Sequence, residues 1–315
     1  MKAINVTAYG DINDVVTIVE TPKPEVKSGT LLIQVGAASI NPLDNLIRAG
    51  YMKEMIPMSF PYVMGSDGAG TVVEVGAGVE GFSVGDEVFF RPDFSEAATF
   101  ANFQRVSVDS VALKPVSLSV LASAALPQVA LTAYQALLAG GKIEGSKVLI
   151  HGGAGGVGSL AIQLAKVLGA KEIITTAESE FESRLRSYGA DTVIDFRSQD
   201  FSELVSDVDI TIDTIGGQVQ EKSIGIAKHG GSVITLVGAM FEELAAEKGV
   251  ALELLFHHAN GQHLKWIAEQ VDAGNLSVQI DTTYAISSVY DVYAALSYVE
   301  QGKARGKVVL DMSDF

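Results

Sequence analysis

The chain has 315 residues, 48% of them hydrophobic, which is enough for two domains with cores of their own. Its 38 acidic against 22 basic residues give a net charge of -16, a field that repels phosphate backbones and anionic lipid surfaces and argues against nucleic acid or membrane partners. With no cysteine, disulfides, thiolate nucleophiles and cysteine-based zinc sites are excluded together.

The first residues read as the start of a strand and lack the apolar core and cleavage site of a signal peptide, so a cytoplasmic setting is expected. Up to about residue 110 the pattern is strands and turns. Residues 31–37, 70–75 and 84–90 are rich in β-branched side chains and bounded by Gly, Pro and Asp. Residues 115–141 carry no charge, but Pro127, Gln128 and several Ser and Thr interrupt the stretch, so it reads as buried helices at a domain junction rather than a membrane span.

The next segment is the most informative. Val148, Leu149 and Ile150 form a short apolar strand preceded by the turn residues Gly145 and Ser146. A glycine run follows, from Gly153 through Ala154, Gly155, Gly156 and Val157 to Gly158, with Gly153, Gly155 and Gly158 matching G-x-G-x-x-G. Among the three, one would make the tight turn, one would let backbone approach phosphates and one would let the helix pack on the strand. Val157, Leu160, Ala161, Leu164 and Leu168 then recur at helical spacing, and Gly169 stands where a left-handed cap belongs. A helix that begins here points unpaired N–H groups and its positive dipole end at a pyrophosphate. His151, beside the turn, reads as a spacer.

Strands at 172–176, 192–195, 210–213 and 232–236 alternate with helical stretches, which implies βαβ units and a parallel sheet. Residues 250–256 are a candidate for its last strand. The tail reads as helices at 262–273 and 289–300 and a closing strand at 307–310. His257, His258 and His263 lack metal-ligand companions at helical spacing and read as surface or core residues.

Four separated segments then carry a resemblance: Ala38-Ser39-Ile40-Asn41-Pro42-Leu43-Asp44, the stretch from Pro61 to Gly70, Gly81-Phe82-Ser83-Val84-Gly85-Asp86-Glu87-Val88, and the stretch from Gly302 to Val309. Over nearly its whole length the chain resembles the medium-chain dehydrogenase/reductase superfamily, and within it the zinc-independent quinone oxidoreductase branch. The resemblance implies an α/β fold in which a doubly wound parallel Rossmann sheet (residues 124–260) follows a β-rich, partly barrel-like, GroES-like substrate domain (residues 1–123). A C-terminal segment (residues 261–315) completes that first domain. It also implies an active site in a cleft between the two domains, and a homodimer formed through the sheet edge near residues 250–256.

Zinc-dependent members of the resembled superfamily place their catalytic ligands at positions that align with Asn41, Ser66 and Gln128, none of them a good zinc ligand. No metal is therefore expected. Without a Lewis acid, hydride transfer needs an acceptor that is already electrophilic, which points to quinones and α,β-unsaturated carbonyls. The resemblance puts Asn41 beside the nicotinamide as a donor in the cleft, and Tyr51 and Arg48 follow as donors to the reduced oxygen. The same branch carries a tyrosine where this chain has Leu46. For Asp44 and Asp67 a backbone-holding role is favoured over acid/base work.

Thr132 matches a threonine that faces the nicotinamide ribose. Ile215, Val237, Gly238 and Ala239 follow strand ends where backbone groups could hold the carboxamide, and Lys307 could reach the cofactor. Glu178 lies 20 residues past Gly158, where an acid binds the ribose hydroxyls of NADH and repels a 2′-phosphate. The resembled branch instead implies NADPH, for which Ser179, Arg184 and Arg186 are the candidate phosphate ligands, with Phe196 in place of an assisting tyrosine. Two functions stand beside each other: an NAD(P)H-dependent reductase of quinones or conjugated enones, and a cofactor-binding redox sensor or structural protein with little turnover.

Overall fold

The computed structural model describes residues 1–315, which fall into two compact units. The first comprises residues 1–128, 258–274 and 278–315, and the second residues 129–257 and 275–277. The sequence reading places the exchanges at 123/124 and 260/261. The first exchange point observed falls within a helix that opens at Pro127, a residue suited to a first helical turn because its missing N–H would have no partner there.

The first unit opens with β1 (Lys2–Val6), a one-turn α1 (Ile12–Val15) and β2 (Val16–Glu20), followed by β3 (Thr30–Ile40), α2 (Pro42–Ala49), β4 (Tyr62–Val63) and β5 (Gly68–Val75). It continues through β6 (Glu87–Phe90), β7 (Phe103–Ser107), β8 (Val111–Leu113) and α3 (Val120–Ala124). Next come α4 (Pro127–Ala139), which the unit boundary divides, and the alternating elements of the second unit: β9 (Lys147–His151), α5 (Gly156–Val167), β10 (Glu172–Ala177), α6 (Glu182–Tyr188), β11 (Thr192–Asp195) and α7 (Phe201–Leu204). The alternation ends with β12 (Val208–Asp213), α8 (Gln218–Ile226), β13 (Ala227–Thr235), α9 (Glu242–Lys248) and β14 (Ala251–Leu254). The chain then returns to the first unit for α10 (Gly261–Asp272), β15 (Ile280–Ala285), α11 (Val289–Glu300) and β16 (Lys307–Asp311).

In the first unit β3 is the central strand. Leu31, Leu32, Ile33 and Val35 are all buried, as a strand flanked on both edges requires. The main sheet runs β15-β16-β3-β5-β6-β8, with β7 also on β3, while β2-β1-β4 make a small antiparallel sheet. The C-terminal strand β16 pairs antiparallel with β3, Val308 opposite Ile40 and Leu310 opposite Ala38, so the tail does complete this sheet. Beneath it Ile33, Phe90, Val292, Leu296 and Leu310 join one core. Full burial of a side chain such as Leu296 contributes about 1.5–3 kcal/mol. The expected strand at 84–90 is shorter than read because Gly85 adopts φ +98 in a turn whose Ser83 N–H is held by the Asp86 carboxylate.

The second unit is a six-stranded, all-parallel sheet in the order β11-β10-β9-β12-β13-β14. Counted from β9, this is the 3-2-1-4-5-6 order of a doubly wound dinucleotide fold, with its reversal between β9 and β12. Leu149, Ile174 and Ile194 bury one face of it against Phe201 and Val205. The strand β14 has a single neighbour, β13, and so forms the sheet's edge.

Candidate functional site

The glycine turn sits at the carboxyl end of β9, beside the point where the strand order reverses. Gly152 adopts φ +70 and makes the tight turn, so the left-handed conformation falls one residue before the three glycines of the motif. The other glycines answer to space. A Cβ on Gly153 would lie 2.1 Å from Thr175 Oγ1, a hydroxyl fixed by donating to the Ile150 carbonyl. A Cβ on Gly158 would lie 2.3 Å from the Gly152 carbonyl oxygen. Gly155 is the N-cap of α5, and Gly156, Val157 and Gly158 open the helix with amides that have no intrahelical acceptor. Ala154 is in the turn itself. At the far end Gly169 takes φ +84 as expected.

His151 is more than a spacer. It is buried, its pKa lowered to about 4 by burial against a weaker opposing pull from Asp213. The Ser223 hydroxyl donates to the Val219 carbonyl at 2.7 Å, so it accepts from His151 Nε2 at 2.9 Å. That leaves Nδ1 as the acceptor for Thr176 Oγ1 at 3.0 Å. The neutral ring thereby ties β9, β10 and α8 together beneath the turn. Next to it opens a cavity of about 480 Å3, lined among others by Gly152, Thr176, Phe196, Arg197, Ile215 and Lys222, a size typical of ligand sites.

Glu178 directly follows β10, and its Oε1 accepts from Arg197 Nη2 at 2.8 Å. Ser179 is exposed at the start of a short turn. Arg184 stacks on Phe181 at 4.9 Å, and its Nε and Nη2 are buried without a hydrogen-bond partner. Arg186 is already committed, to Glu182 and to the Asp191 carbonyl. Thr132 Oγ1 lies 3.1 Å from His257 Nδ1. Ile215 and Val237 are each about half exposed on the loops that follow β12 and β13, where Gly238 and the half-buried Ala239 also lie. Thus Gly152 to Gly158, Glu178, Arg197 and Ile215 gather at one end of the sheet.

The first unit holds a separate polar cluster. Asp44 fixes the start of α2 by accepting the Asn41 N–H at 2.7 Å, with Pro42 next in line and Gly50 closing the helix at φ +86. Asn41 Nδ2 donates to Asp67 Oδ1 at 3.0 Å and to Ser66 Oγ at 3.2 Å, while Asn41 Oδ1 accepts from Lys307 Nζ at 2.5 Å. The amide is 3% exposed, so both its hydrogens are spent inside the protein and the expected donation to a substrate oxygen has no hydrogen left to make it. Lys307 likewise turns inward, its second bond going to the Ile40 carbonyl at 3.2 Å. Arg48 is buried and donates to the Gly10 carbonyl and the Glu300 carboxylate, which removes it as a proton donor to substrate. Tyr51 is 80% exposed beyond the end of α2.

Burial pushes the Asp44 carboxyl up to about 7, with Asp67 adding to the rise and the Asn41 amide, Lys307 and Ser66 opposing it. The Lys307 ammonium is held below its usual range by the same burial, against the pull of Asp67 and Asp44. Asp44 and Ser66 also line a cavity of about 30 Å3, room for about one water. Asn41, Ser66 and Gln128 do not fit a zinc ion. Their oxygens are ones zinc takes poorly, Gln128 Oε1 accepts from Arg91 Nε at 3.1 Å, and the local cation is the Lys307 ammonium. No three His, Asp or Glu side chains come together anywhere in the chain to hold a metal. Lys307, Ser39 and Arg91 were not foreseen as partners in this cluster, because they converge from segments up to 266 residues apart.

Comparison with known proteins agrees with this geometry. Residues 27–114 match the alcohol dehydrogenase GroES-like domain, residues 119–224 the alanine dehydrogenase/PNT C-terminal domain, and residues 188–310 the family described as zinc-binding dehydrogenase. The chain is 36% identical over 321 residues to the 2-methylene-furan-3-one reductase of Solanum lycopersicum, covering 98% of this chain and 79% of that one. It is 34% identical, with the same coverage, to the chloroplastic NADPH-dependent alkenal/one oxidoreductase of Arabidopsis thaliana. The solved quinone oxidoreductase of Coxiella burnetii superposes with a TM-score of 0.90 at 33% identity, covering 99% of each chain. No helix is long and apolar enough to cross a membrane. The chain belongs to the medium-chain dehydrogenase/reductase superfamily, in its quinone oxidoreductase branch, and is an oxidoreductase.

Proposed function

We propose that the protein is an NADPH-dependent reductase of quinones and α,β-unsaturated carbonyl compounds that works without a metal. The observation that carries this reading is the glycine turn from Gly152 to Gly158 at the reversal of a 3-2-1-4-5-6 sheet, next to a cavity of about 480 Å3. The opening amides of α5 and the positive end of its dipole would hold a pyrophosphate there. A nicotinamide seated there would supply a hydride to a conjugated acceptor, which needs no polarisation by a Lewis acid.

The chain's own residues favour the 2′-phosphate. Arg197 pairs with Glu178, the acid that would repel it, and Arg184, which lies over Phe181, has two buried guanidinium nitrogens with no hydrogen-bond partner. NADH is the competing cofactor, supported by Glu178 at the position of a ribose-binding acid. Titration of the wild type and Glu178→Ala with both dinucleotides decides between them. We expect NADPH affinity to rise in the variant; no change in it would remove Glu178 as a discriminator.

Gly153, Ala154, Gly155, Gly156, Val157 and Gly158 form the pyrophosphate seat on this reading, with Thr132, Ile215, Val237, Gly238 and Ala239 toward the nicotinamide. Asn41 and Lys307 act within the buried cluster, and the proton comes from solvent. The alternative, a cofactor-binding protein with little turnover, is favoured by one observation: both Asn41 amide hydrogens are committed internally. Mixing protein, NADPH and a panel of small quinones separates the two, since steady loss of reduced nicotinamide is expected only of the reductase. We further propose a homodimer in which the open edge of β14 pairs with a second copy, supported by its single neighbour in the sheet; light scattering that reports a monomer would exclude it.

A further inference from the structure

The loops after β12 and β13 present three apolar side chains to solvent: Ile215 at 55%, Val237 at 54% and Met240 at 62% exposure. Burial of their own side chains therefore does not hold these loops in shape. The loops also turn on glycines, Gly216 and Gly217 at φ +78 and +56 and Gly238 at φ +142, the residues that lose most conformational freedom when fixed. Something else must fix them.

Two buried side chains link one loop to the other. Asp213, at the end of β12, accepts the Ile215 N–H at 2.9 Å and the Gly216 N–H at 2.8 Å through Oδ1, and the Gln220 amide at 3.0 Å through Oδ2. Gln220, on α8 and with no exposed surface, sends its other amide hydrogen to the Gly238 carbonyl at 2.7 Å and accepts the Met240 N–H at 2.8 Å. Both donors and the acceptor of one amide are thus used across two loops. A second contact reinforces the link: a Cβ on Gly216 would lie 2.7 Å from Val237 Cγ2, so the loops also meet side by side.

We infer that Gln220, anchored by Asp213, is a positioning residue that clamps the β12–α8 loop to the β13–α9 loop, so that both are already in place for the nicotinamide end of the cofactor. The inference rests on the cofactor reading above. Preformed loops spare the ordering cost that flexible ones would charge against binding. Glutamine is the side chain the geometry needs. Glutamate would set a carboxylate against Asp213 and the Gly238 carbonyl with no hydrogen to offer either, and methionine would fill the space with no polar group.

Wild type, Gln220→Met and Gln220→Glu are titrated calorimetrically with NADPH and with 2′,5′-ADP, which carries only the adenosine half. The wild type is expected to bind both. The variants are expected to lose about 10- to 100-fold in NADPH affinity, the worth of bonds to a charged group, while 2′,5′-ADP affinity stays within about twofold. A general structural defect would weaken both probes together, and that result, or unchanged NADPH affinity, overturns the clamp. Wild type that binds neither probe overturns the cofactor reading and the clamp with it. Hydrogen exchange of the wild type needs no variant: the Ile215, Gly216 and Met240 amides should exchange slowly and as a group without ligand, and fast, uncorrelated exchange contradicts the inference.

Discussion

In the second unit the buried polar groups under the glycine turn are satisfied by short-range, largely uncharged bonds: His151 lies neutral between two hydroxyls and Thr175 donates to a neighbouring strand. In the first, the charged Asp44, Asp67, Lys307 and Arg91 are buried near one another, bridged by the neutral side chains of Asn41, Ser66 and Gln128, and act on one another through space. The two units therefore respond to pH in opposite senses. His151, its pKa lowered, binds fewer protons folded than unfolded, so its contribution to stability is intact above about pH 6.5 and is lost as pH falls toward about 4. Asp44, its pKa raised, holds a proton longer when folded, so its own contribution to stability is complete below about pH 4 and is lost as pH rises toward about 7.

The largest effect that would break this contrast falls on the turn. Gly158→Val drives carbon into the Gly152 carbonyl, and NADPH affinity should drop by at least about 100-fold in a fluorescence titration, with the alkaline response of the first unit unchanged. Lys307→Met comes next. It strips the cluster of its central cation and should cost about 3–5 kcal/mol in denaturant unfolding at about pH 8, and less at about pH 5 where Asp44 takes up a proton. Two effects of comparable or smaller size, about 4 kcal/mol for Asp44 and about 3 kcal/mol for His151, each remove one limb of the profile. His151→Gln should flatten the acid limb of the stability profile, and Asp44→Asn the alkaline limb. The smallest is Arg197→Ala, which uncovers Glu178 and should weaken NADPH by about tenfold with NADH little changed.

The same contrast explains how much could be read in advance. The strand, turn and helix from Lys147–His151 to Gly156–Val167 are consecutive, so periodicity and glycine spacing sufficed, and the helix at Val289–Glu300 was foreseen residue for residue. Sequence spacing located Glu178 but not Arg197, which reaches it from the next strand's end. The strands Val16–Glu20 and Ile280–Ala285 escaped notice because both are only partly buried and show no clean alternation of apolar and polar side chains. Asn41 was singled out through resemblance, yet its amide bonds depend on Ser66, Asp67 and Lys307, whose distances along the chain follow no local rule.

The most direct test follows the hydride itself. The protein is incubated with NADPH deuterated at its transferable position and with methyl vinyl ketone, and the product is examined by NMR. The expected product is a saturated ketone with deuterium on the β-carbon and a solvent proton on the α-carbon. Deuterium on the carbonyl carbon of an alcohol, or none transferred while NADPH binds, would contradict the proposed function.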